Sequence, residues 1–179
     1  MSNYITTYSK VHFTPLEPKP EEIRVEDIAH ALSLMTRANG HFPRFHSVAQ
    51  HSIECCEEAM LRGATPRVAL ACLLHDASEA YMADITRPIK VYLDTYREIE
   101  AGLSKAIYQR FLGGLTEEEE RQVAAVDDAL LYYEFDHFMG EKVLPFQPIT
   151  KIPTFAPMTF EAAEQRFLEL FRELSKTLA

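Results

Sequence analysis

The chain has 179 residues, 47% of them hydrophobic and 25% charged, which is typical of a single compact globular domain with its own core. The formal net charge of −9 disfavours binding to a nucleic acid polymer, and three cysteines cannot form a disulfide framework. There is no apolar run of about 18 residues and no signal-peptide pattern at the start, so we expect a cytoplasmic protein with no membrane partner.

An irregular segment is predicted over residues 1–24, ahead of one helical domain over residues 25–179. Weak alternation between Tyr4 and Phe13 favours a short hairpin. Three prolines in residues 15–20 then exclude a regular helix. The domain is therefore expected to begin at the first helical periodicity.

Helical periodicity dominates the rest of the chain. It predicts six main helices, at about residues 25–37, 48–61, 66–80, 91–112 and 116–139 and from Thr159 onward. Four prolines in residues 144–157 predict an extended loop before the last helix, whose apolar face either packs internally or forms a homodimer contact. Strand signals are nearly absent, so the predicted fold class is an all-α helical bundle.

Two histidines on neighbouring helices are predicted to meet. If the second and third helices form an antiparallel hairpin centred at position 63.5, His51 lies 12.5 positions before the centre and His75 lies 11.5 after it. With about 1.5 Å of rise per residue, both imidazoles reach the same level of the hairpin. Asp76 adds an oxygen donor, and mixed His and Asp sites suit Zn, Mn, Fe, Co or Mg.

Two further acids follow this pair. Glu79 comes three residues after Asp76, on the same face if the helix continues, and Asp84 lies at the next turn. Carboxylates in so apolar a stretch are costly to bury unless they pair, bind a metal or perform chemistry. The pattern therefore favours a chemical site.

A fourth metal ligand can come from the fifth helix, where periodicity allows either Asp127 or Asp128 to point inward. The loop histidines His41 and His46 fit substrate contacts or surface positions better than metal ligation. Cys72, in an apolar run, fits a small core residue better than a thiolate ligand.

Four motifs combine these residues, and they are listed here in chain order: Val48-Ala49-Gln50-His51-Ser52, His75-Asp76-Ala77-Ser78-Glu79, Asp84-Ile85-Thr86-Arg87-Pro88-Ile89-Lys90 and Asp127-Asp128-Ala129-Leu130. Over residues 25–135 the chain resembles the HD-domain superfamily of metal-dependent phosphohydrolases, and within it the bacterial 5′-deoxynucleotidase-like group. The resemblance implies one divalent metal ion (Mn, Co, Mg, Fe, Ni or Zn), and its implied ligands are His51, His75, Asp76 and Asp128.

The resemblance also implies an activity and further roles. Glu79 and Asp84 match catalytic acids beside the metal, whereas Arg37 and Lys90 fall near residues that contact the substrate phosphate. The implied reaction is hydrolysis of a phosphomonoester by a metal-activated water. The implied substrate is a nucleoside 5′-monophosphate, with deoxynucleotides favoured.

Two departures leave the substrate open. Gln50 stands where these nucleotidases commonly carry Glu, and the Arg-Trp pair that often follows the first helix is missing. The alternatives are a triphosphohydrolase or phosphodiesterase of the same superfamily, or a nucleotide-binding sensor or interaction module without turnover.

Overall fold

The computed structural model describes residues 3–178, so the predicted outer boundaries at residues 1 and 179 lie outside the described part of the chain. The helices are α1 (Val25–Leu34), α2 (Val48–Leu61), α3 (Pro66–Leu73), α4 (Glu79–Met82), α5 (Arg87–Lys90), α6 (Asp94–Leu112), α7 (Glu117–Met139) and α8 (Phe160–Leu178). Two short 3-10 helices and one small sheet complete the secondary structure of these residues. The all-α prediction is therefore confirmed.

The N-terminal segment folds back on the helices. Strand β1 (Ile5–Thr6) pairs antiparallel with β2 (His12–Phe13), and the Phe13 side chain is fully buried in the core. The buried carboxylate of Asp27 in α1 accepts hydrogen bonds from the Ser9 backbone N–H at 2.6 Å and from the Ser9 hydroxyl at 2.8 Å. This segment is thus anchored to the first helix.

Local capping chemistry explains where the long helices begin. Ser47 and Thr65 each accept a backbone N–H of the first turn of α2 and α3, respectively. Thr116 and Glu119 form a capping box at the start of α7, and Gly140 ends that helix in the left-handed conformation with a φ of 68°. These predicted helix limits are confirmed.

The third helix ends earlier than predicted, at Leu73 instead of Ala80. The Cys72 carbonyl, which would accept the next helical N–H, instead accepts Nδ1 of the His75 side chain at 2.8 Å. Backbone bonds then tighten to three-residue spacing, as in Glu79 N–H to the Asp76 carbonyl at 3.0 Å. His75 and Asp76 therefore lie in a turn.

The first helix also ends early, at Leu34, because the chain turns into an extended pairing. Thr36 forms an isolated antiparallel bridge with Ser47, and the Arg37 N–H donates to the His46 carbonyl at 2.9 Å. This pairing closes the loop before α2 and holds Arg37 next to the start of that helix.

The core lies around the α2–α3 pair. Helix α8 packs its apolar face against α1, α2 and α3, and α7 packs against α2 and α3. Phe167 of α8, Leu70 of α3 and Leu130 of α7 are fully buried at these contacts. Between residues 3 and 178, every helix is too short or too polar to span a lipid bilayer.

Candidate metal centre

The two predicted histidines meet between α2 and the turn after α3. The Nε2 atoms of His51 and His75 are 3.2 Å apart, and the His51 side chain is fully buried. The hairpin arithmetic is thus confirmed in the structure, even though α3 stops two residues before His75.

Two carboxylates adjoin these imidazoles. Asp127 Oδ1 lies 3.1 Å from His51 Nε2 and 3.6 Å from His75 Nε2. Asp76 Oδ2 lies 3.2 Å from His75 Nε2 and 3.9 Å from His51 Nε2. The centre therefore combines two nitrogen donors with oxygen donors from a turn and from α7.

The structure brings Asp127 to the histidines and leaves Asp128 outside, which corrects the assignment implied by the resemblance. Asp128 is the more exposed of the two side chains, at 40% against 27%, and its Oδ1 accepts Arg87 at 3.3 Å. Helical periodicity gives the reason. Asp127 lies four residues after the buried Val123 and three before the buried Leu130, whereas Asp128 is turned about 100° away.

The outer nitrogens of both imidazoles contact acceptors. His51 Nδ1 lies 2.6 Å from Glu134 Oε1, and His75 Nδ1 lies 2.8 Å from the Cys72 carbonyl oxygen. Each ring, when neutral, therefore carries its hydrogen on Nδ1 and presents a lone pair on Nε2 toward the other ring. Either a proton or a metal ion between these facing nitrogens, 3.2 Å apart, would satisfy both lone pairs.

The ionised carboxylates of the centre also require positive charge nearby. Burial alone would raise the pKa of Asp76, but His75 and Arg37 lower it to about 2, and the pKa values of Asp127 and Glu134 are also lowered by their cationic neighbours against burial. Three ionised carboxylates thus face Arg37 and two imidazoles, which balance them only when both imidazoles are protonated. With neutral imidazoles, a divalent ion would offset the remaining negative charge of two.

The spacing of the donor atoms fits such an ion. Ligand atoms about 2.0–2.2 Å from a metal lie roughly 3.0–3.5 Å from one another. The separations among His51, His75 and Asp127 run from 3.1 to 3.6 Å. Burial would lower the pKa of His75, yet the adjoining carboxylates raise it well above its ordinary value, so a proton takes the place that a metal would compete for. The donor set fits a metal.

Sequence reasoning missed Glu134, which contacts His51 through the ring nitrogen opposite the ligand atom. Its fully buried carboxylate contacts His51 Nδ1, Arg37 Nη2 at 3.2 Å and His46 Nε2 at 3.3 Å. The available signal was its position seven residues after Asp127, two turns along the same face of α7.

Arg37 lies beside the centre in the 3-10 helix Arg37–Gly40. Its guanidinium is held between Asp76 Oδ2 at 3.4 Å and Glu134 Oε2 at 3.2 Å. The two residues after it, Ala38 and Asn39, adopt positive φ values of 51° and 50°. The chain thus turns sharply just after Arg37.

The two predicted acids differ in burial. Glu79 is 5% exposed, and its Oε2 has no hydrogen-bond partner within residues 3–178. Burial first, and then the charges of Asp76 and Asp84, raise the pKa of Glu79 to about 10. Asp84 is half-buried in the loop after α4.

Lys90 lies at the end of α5 and outside the cluster of ligand atoms. Its Nζ donates to Glu100 Oε1 at 2.7 Å and lies 5.6 Å from the centroid of the Tyr96 ring. Burial would lower the pKa of Lys90, but Glu100 and, more weakly, Glu79 and Asp84 raise it. The charges of Glu79 and Asp84 therefore act on the Lys90 ammonium, whose direct contacts are with Glu100 and Tyr96.

The remaining candidate residues, His41, His46 and Cys72, are not among the ligand atoms of the centre. His41 is exposed, and Cys72 is buried in the apolar core. His46 is buried in a second cluster, formed with Glu54 and Glu134, and its Nε2 lies 3.6 Å from Glu54 Oε2. Cys55 was not predicted as a site residue, but its sulfur lies at the centre, 3.5 Å from His51 Nε2.

Comparison with known proteins places the chain among relatives. No protein-family model matches it. The chain is 31% identical over 179 residues to Uncharacterized protein YfdR of Escherichia coli K12, an alignment that covers 97% of each protein. The chain belongs to the YfdR family. A shorter match links this YfdR family member to Uncharacterized protein RCAP_rcc00048 of Rhodobacter capsulatus, at 39% identity over 54% of this chain and 52% of that protein.

Proposed function

We propose that this member of the YfdR family is a metal-dependent phosphohydrolase of the HD-domain type. Its proposed substrates are phosphomonoesters, and specifically (deoxy)nucleoside 5′-monophosphates. One observation carries the proposal: the lone pairs of His51, His75 and Asp127 converge. Glu79, a buried acid with an unpartnered oxygen, lies in the turn that begins at Asp76, whose carbonyl accepts the Glu79 backbone N–H at 3.0 Å. The motif resemblance around these residues supports the same reaction class.

The chain's own residues prepare the centre for a metal. His51, His75 and Asp127 would hold the ion, with Asp76 as an adjoining oxygen donor. Glu134 fixes the tautomer and orientation of His51 from behind. When bound, a divalent ion supplies Lewis-acid chemistry, which lowers the pKa of water and offsets charge on a phosphate.

Proton transfer is assigned to Glu79. With a pKa raised to about 10, its carboxyl carries a proton at neutral pH and can donate it to the leaving alcohol. Asp84 contributes to that raised pKa because its charge opposes ionisation of Glu79. We therefore assign Glu79 as the general acid, which burial and the charges of Asp76 and Asp84 keep protonated.

Two cations are assigned to the substrate phosphate. Arg37 uses donors on Asp76 and Glu134, and the rest of its five N–H groups remain for phosphate oxygens. The Lys90 ammonium has three donors, of which one serves Glu100. Orientation of the phosphate by such groups is a main source of catalysis in phosphoryl transfer.

Phosphate release from a panel of ribo- and deoxyribonucleoside 5′-monophosphates, with Mn²⁺, Co²⁺ or Mg²⁺, tests the proposal. We expect metal-dependent release by the unmodified chain. Asp127→Asn should reduce the rate at least about 100-fold, because it removes a donor from the metal.

Asp128→Asn is the matched control, since it makes the same change one residue away, at the position that contacts Arg87. It should change the rate by no more than about twofold, as expected for a surface substitution. Failure to release phosphate from any nucleotide with any of the three ions, together with tight nucleotide binding, would support a binding module instead. Equal losses in the two variants would contradict the role of Asp127.

A further inference from the structure

Cys55 brings a sulfur atom to the metal centre. It follows His51 by four residues on α2, so both side chains lie on the same face of the helix, one turn apart. His51, Cys55, His75 and Asp127 each offer one ligand atom, and these four atoms all lie within 4.8 Å of one another. The sulfur is buried with the residue only 1% exposed.

Two of the six separations among these four ligand atoms match a four-coordinate ion with one sulfur ligand. Bonds of about 2.3 Å to sulfur and about 2.0–2.1 Å to nitrogen, at tetrahedral angles, place sulfur and nitrogen roughly 3.5 Å apart and two nitrogens roughly 3.3 Å apart. In the structure, Cys55 Sγ lies 3.5 Å from His51 Nε2, and the Nε2 atoms of His51 and His75 are 3.2 Å apart.

Asp76 is not among these four ligand residues, although its Oδ2 lies 3.2 Å from His75 Nε2. Its Oδ2 is 3.9 Å from His51 Nε2 and already accepts the Arg37 guanidinium at 3.4 Å. The sulfur thus faces His51 as a fourth donor, whereas Asp76 is shared with an arginine.

A simpler interpretation is that Cys55 is a small core residue that donates its S–H to His51. One thiol proton would satisfy His51 Nε2 alone, and His75 Nε2 would still face Asp127 Oδ1 at 3.6 Å and Asp76 Oδ2 at 3.2 Å. The neighbouring Cys56 is as deeply buried but is not among these four ligand residues, so burial of a cysteine does not by itself produce this placement.

We propose that Cys55 is a metal ligand and that its sulfur makes the centre select Zn²⁺ or Co²⁺ over Mg²⁺. This inference rests on the metal centre of the proposed function. Thiolate ligands favour borderline and soft ions, whereas Mg²⁺ prefers oxygen donors. As the metal–sulfur bond forms, the thiol gives its proton to the solvent, and neither the metal nor the sulfur changes oxidation state.

Spectroscopy of the metal-loaded full chain tests this directly. The Co²⁺ form should show a thiolate-to-cobalt charge-transfer band in the near ultraviolet. The Zn²⁺ form should show a sulfur neighbour at about 2.3 Å in X-ray absorption spectra. Both signals should disappear in Cys55→Ala and in the similarly sized Cys55→Ser, and both should remain in the control Cys56→Ala.

Affinity provides a second readout. Zn²⁺ affinity should fall roughly 100-fold in the Cys55 variants, at least as much as loss of an outer hydrogen bond to a ligand costs. Mg²⁺ affinity should change by less than about threefold, because Mg²⁺ gains little from sulfur. The ratio of Zn²⁺ to Mg²⁺ affinity therefore reports the role of Cys55.

Two outcomes would overturn the inference, and they differ in whether they also contradict the proposed function. If Co²⁺ and Zn²⁺ bind but the unmodified chain shows neither sulfur signal, Cys55 is not a ligand and the metal centre of the proposed function still stands. If neither ion binds, the centre itself is contradicted, and both proposals fall together.

Discussion

The two halves of α2 both bury charged groups, but they satisfy them differently. In the second half, Glu58 is buried, and its Oε1 accepts Arg62 Nε and the Thr150 N–H, each at 2.7 Å. Its Oε2 accepts the Lys151 N–H at 3.4 Å. This carboxylate is therefore neutralised by donors from the chain, and it fastens the extended loop to the helix.

In the first half of α2, the chain does not provide a hydrogen-bond partner for every buried charged group. His51 Nε2 faces His75 Nε2 at 3.2 Å, and Oε2 of the neighbouring Glu54 has no hydrogen-bond partner within residues 3–178. A buried group without a partner is costly in a native protein and can mark a position where a ligand binds. The comparison shows that burial of charge does not distinguish a site, whereas the convergence of lone pairs from several residues does.

The largest expected effect comes from Glu79→Gln in α4, which keeps the size of the side chain and removes its proton donor. Phosphate release should fall about 10²- to 10⁴-fold, the usual contribution of a general acid. Metal stoichiometry should not change, because Glu79 is not among the ligand atoms. Measurement of both quantities separates the two roles. A variant as fast as the unmodified chain would remove Glu79 from the mechanism.

Glu134→Gln should have the next largest effect. The amide cannot hold the His51 N–H and the Arg37 guanidinium as a carboxylate does, so metal affinity should fall about 10- to 100-fold. Isothermal titration with Zn²⁺ or Mn²⁺ measures the change. Unchanged affinity would show that Glu134 does not support the ligand.

Glu58→Gln tests the other half of the helix. Loss of the charge opposite Arg62 and of one acceptor for the loop should lower the free energy of unfolding by about 1–2 kcal/mol. Urea denaturation provides the value. Metal affinity should stay within about twofold of the unmodified chain, as for sites that share no partners. A large loss of metal binding would mean that the two halves are coupled.

Glu54→Gln should change the free energy of unfolding in a way that depends on pH. Burial first raises the pKa of Glu54 to about 8, whereas in the unfolded chain this group ionises near its ordinary pKa of about 4.3. The folded state thus retains a proton that the unfolded state has lost, and stability falls as pH rises between these values.

The glutamine variant lacks this loss. Its stability relative to the unmodified chain should therefore be greater at about pH 8.5 than at about pH 5, by up to about 4 kcal/mol. Urea denaturation of both proteins at the two pH values gives the difference. A difference that does not depend on pH would show that Glu54 ionises normally in the folded chain.

Features set by local chemistry could be predicted from the sequence. Ser47, Thr65 and Thr116 cap helices through hydrogen bonds to residues three positions away, so the starts of α2, α3 and α7 can be inferred from short windows. The meeting of His51 and His75 also depends on one short loop and the constant rise of a helix.

Features set by tertiary contacts could not be predicted in this way. The end of α3 depends on the His75 side chain taking the Cys72 carbonyl, which a periodic pattern does not reveal. The choice of Asp127 over Asp128 depends on how α7 is rotated against α2 and α3. Glu134 is 83 residues from His51 in the sequence, so their contact is visible only in the folded structure.

The central claim is that the ligand atoms of His51, His75 and Asp127 form a metal centre. Calorimetric titration of the metal-free chain with Zn²⁺ or Co²⁺ tests it most directly. We predict one ion per chain for the unmodified protein and for Asp128→Asn, and at least about 100-fold weaker binding for Asp127→Asn. No binding by the unmodified chain, or equal affinities in the two variants, would contradict the account.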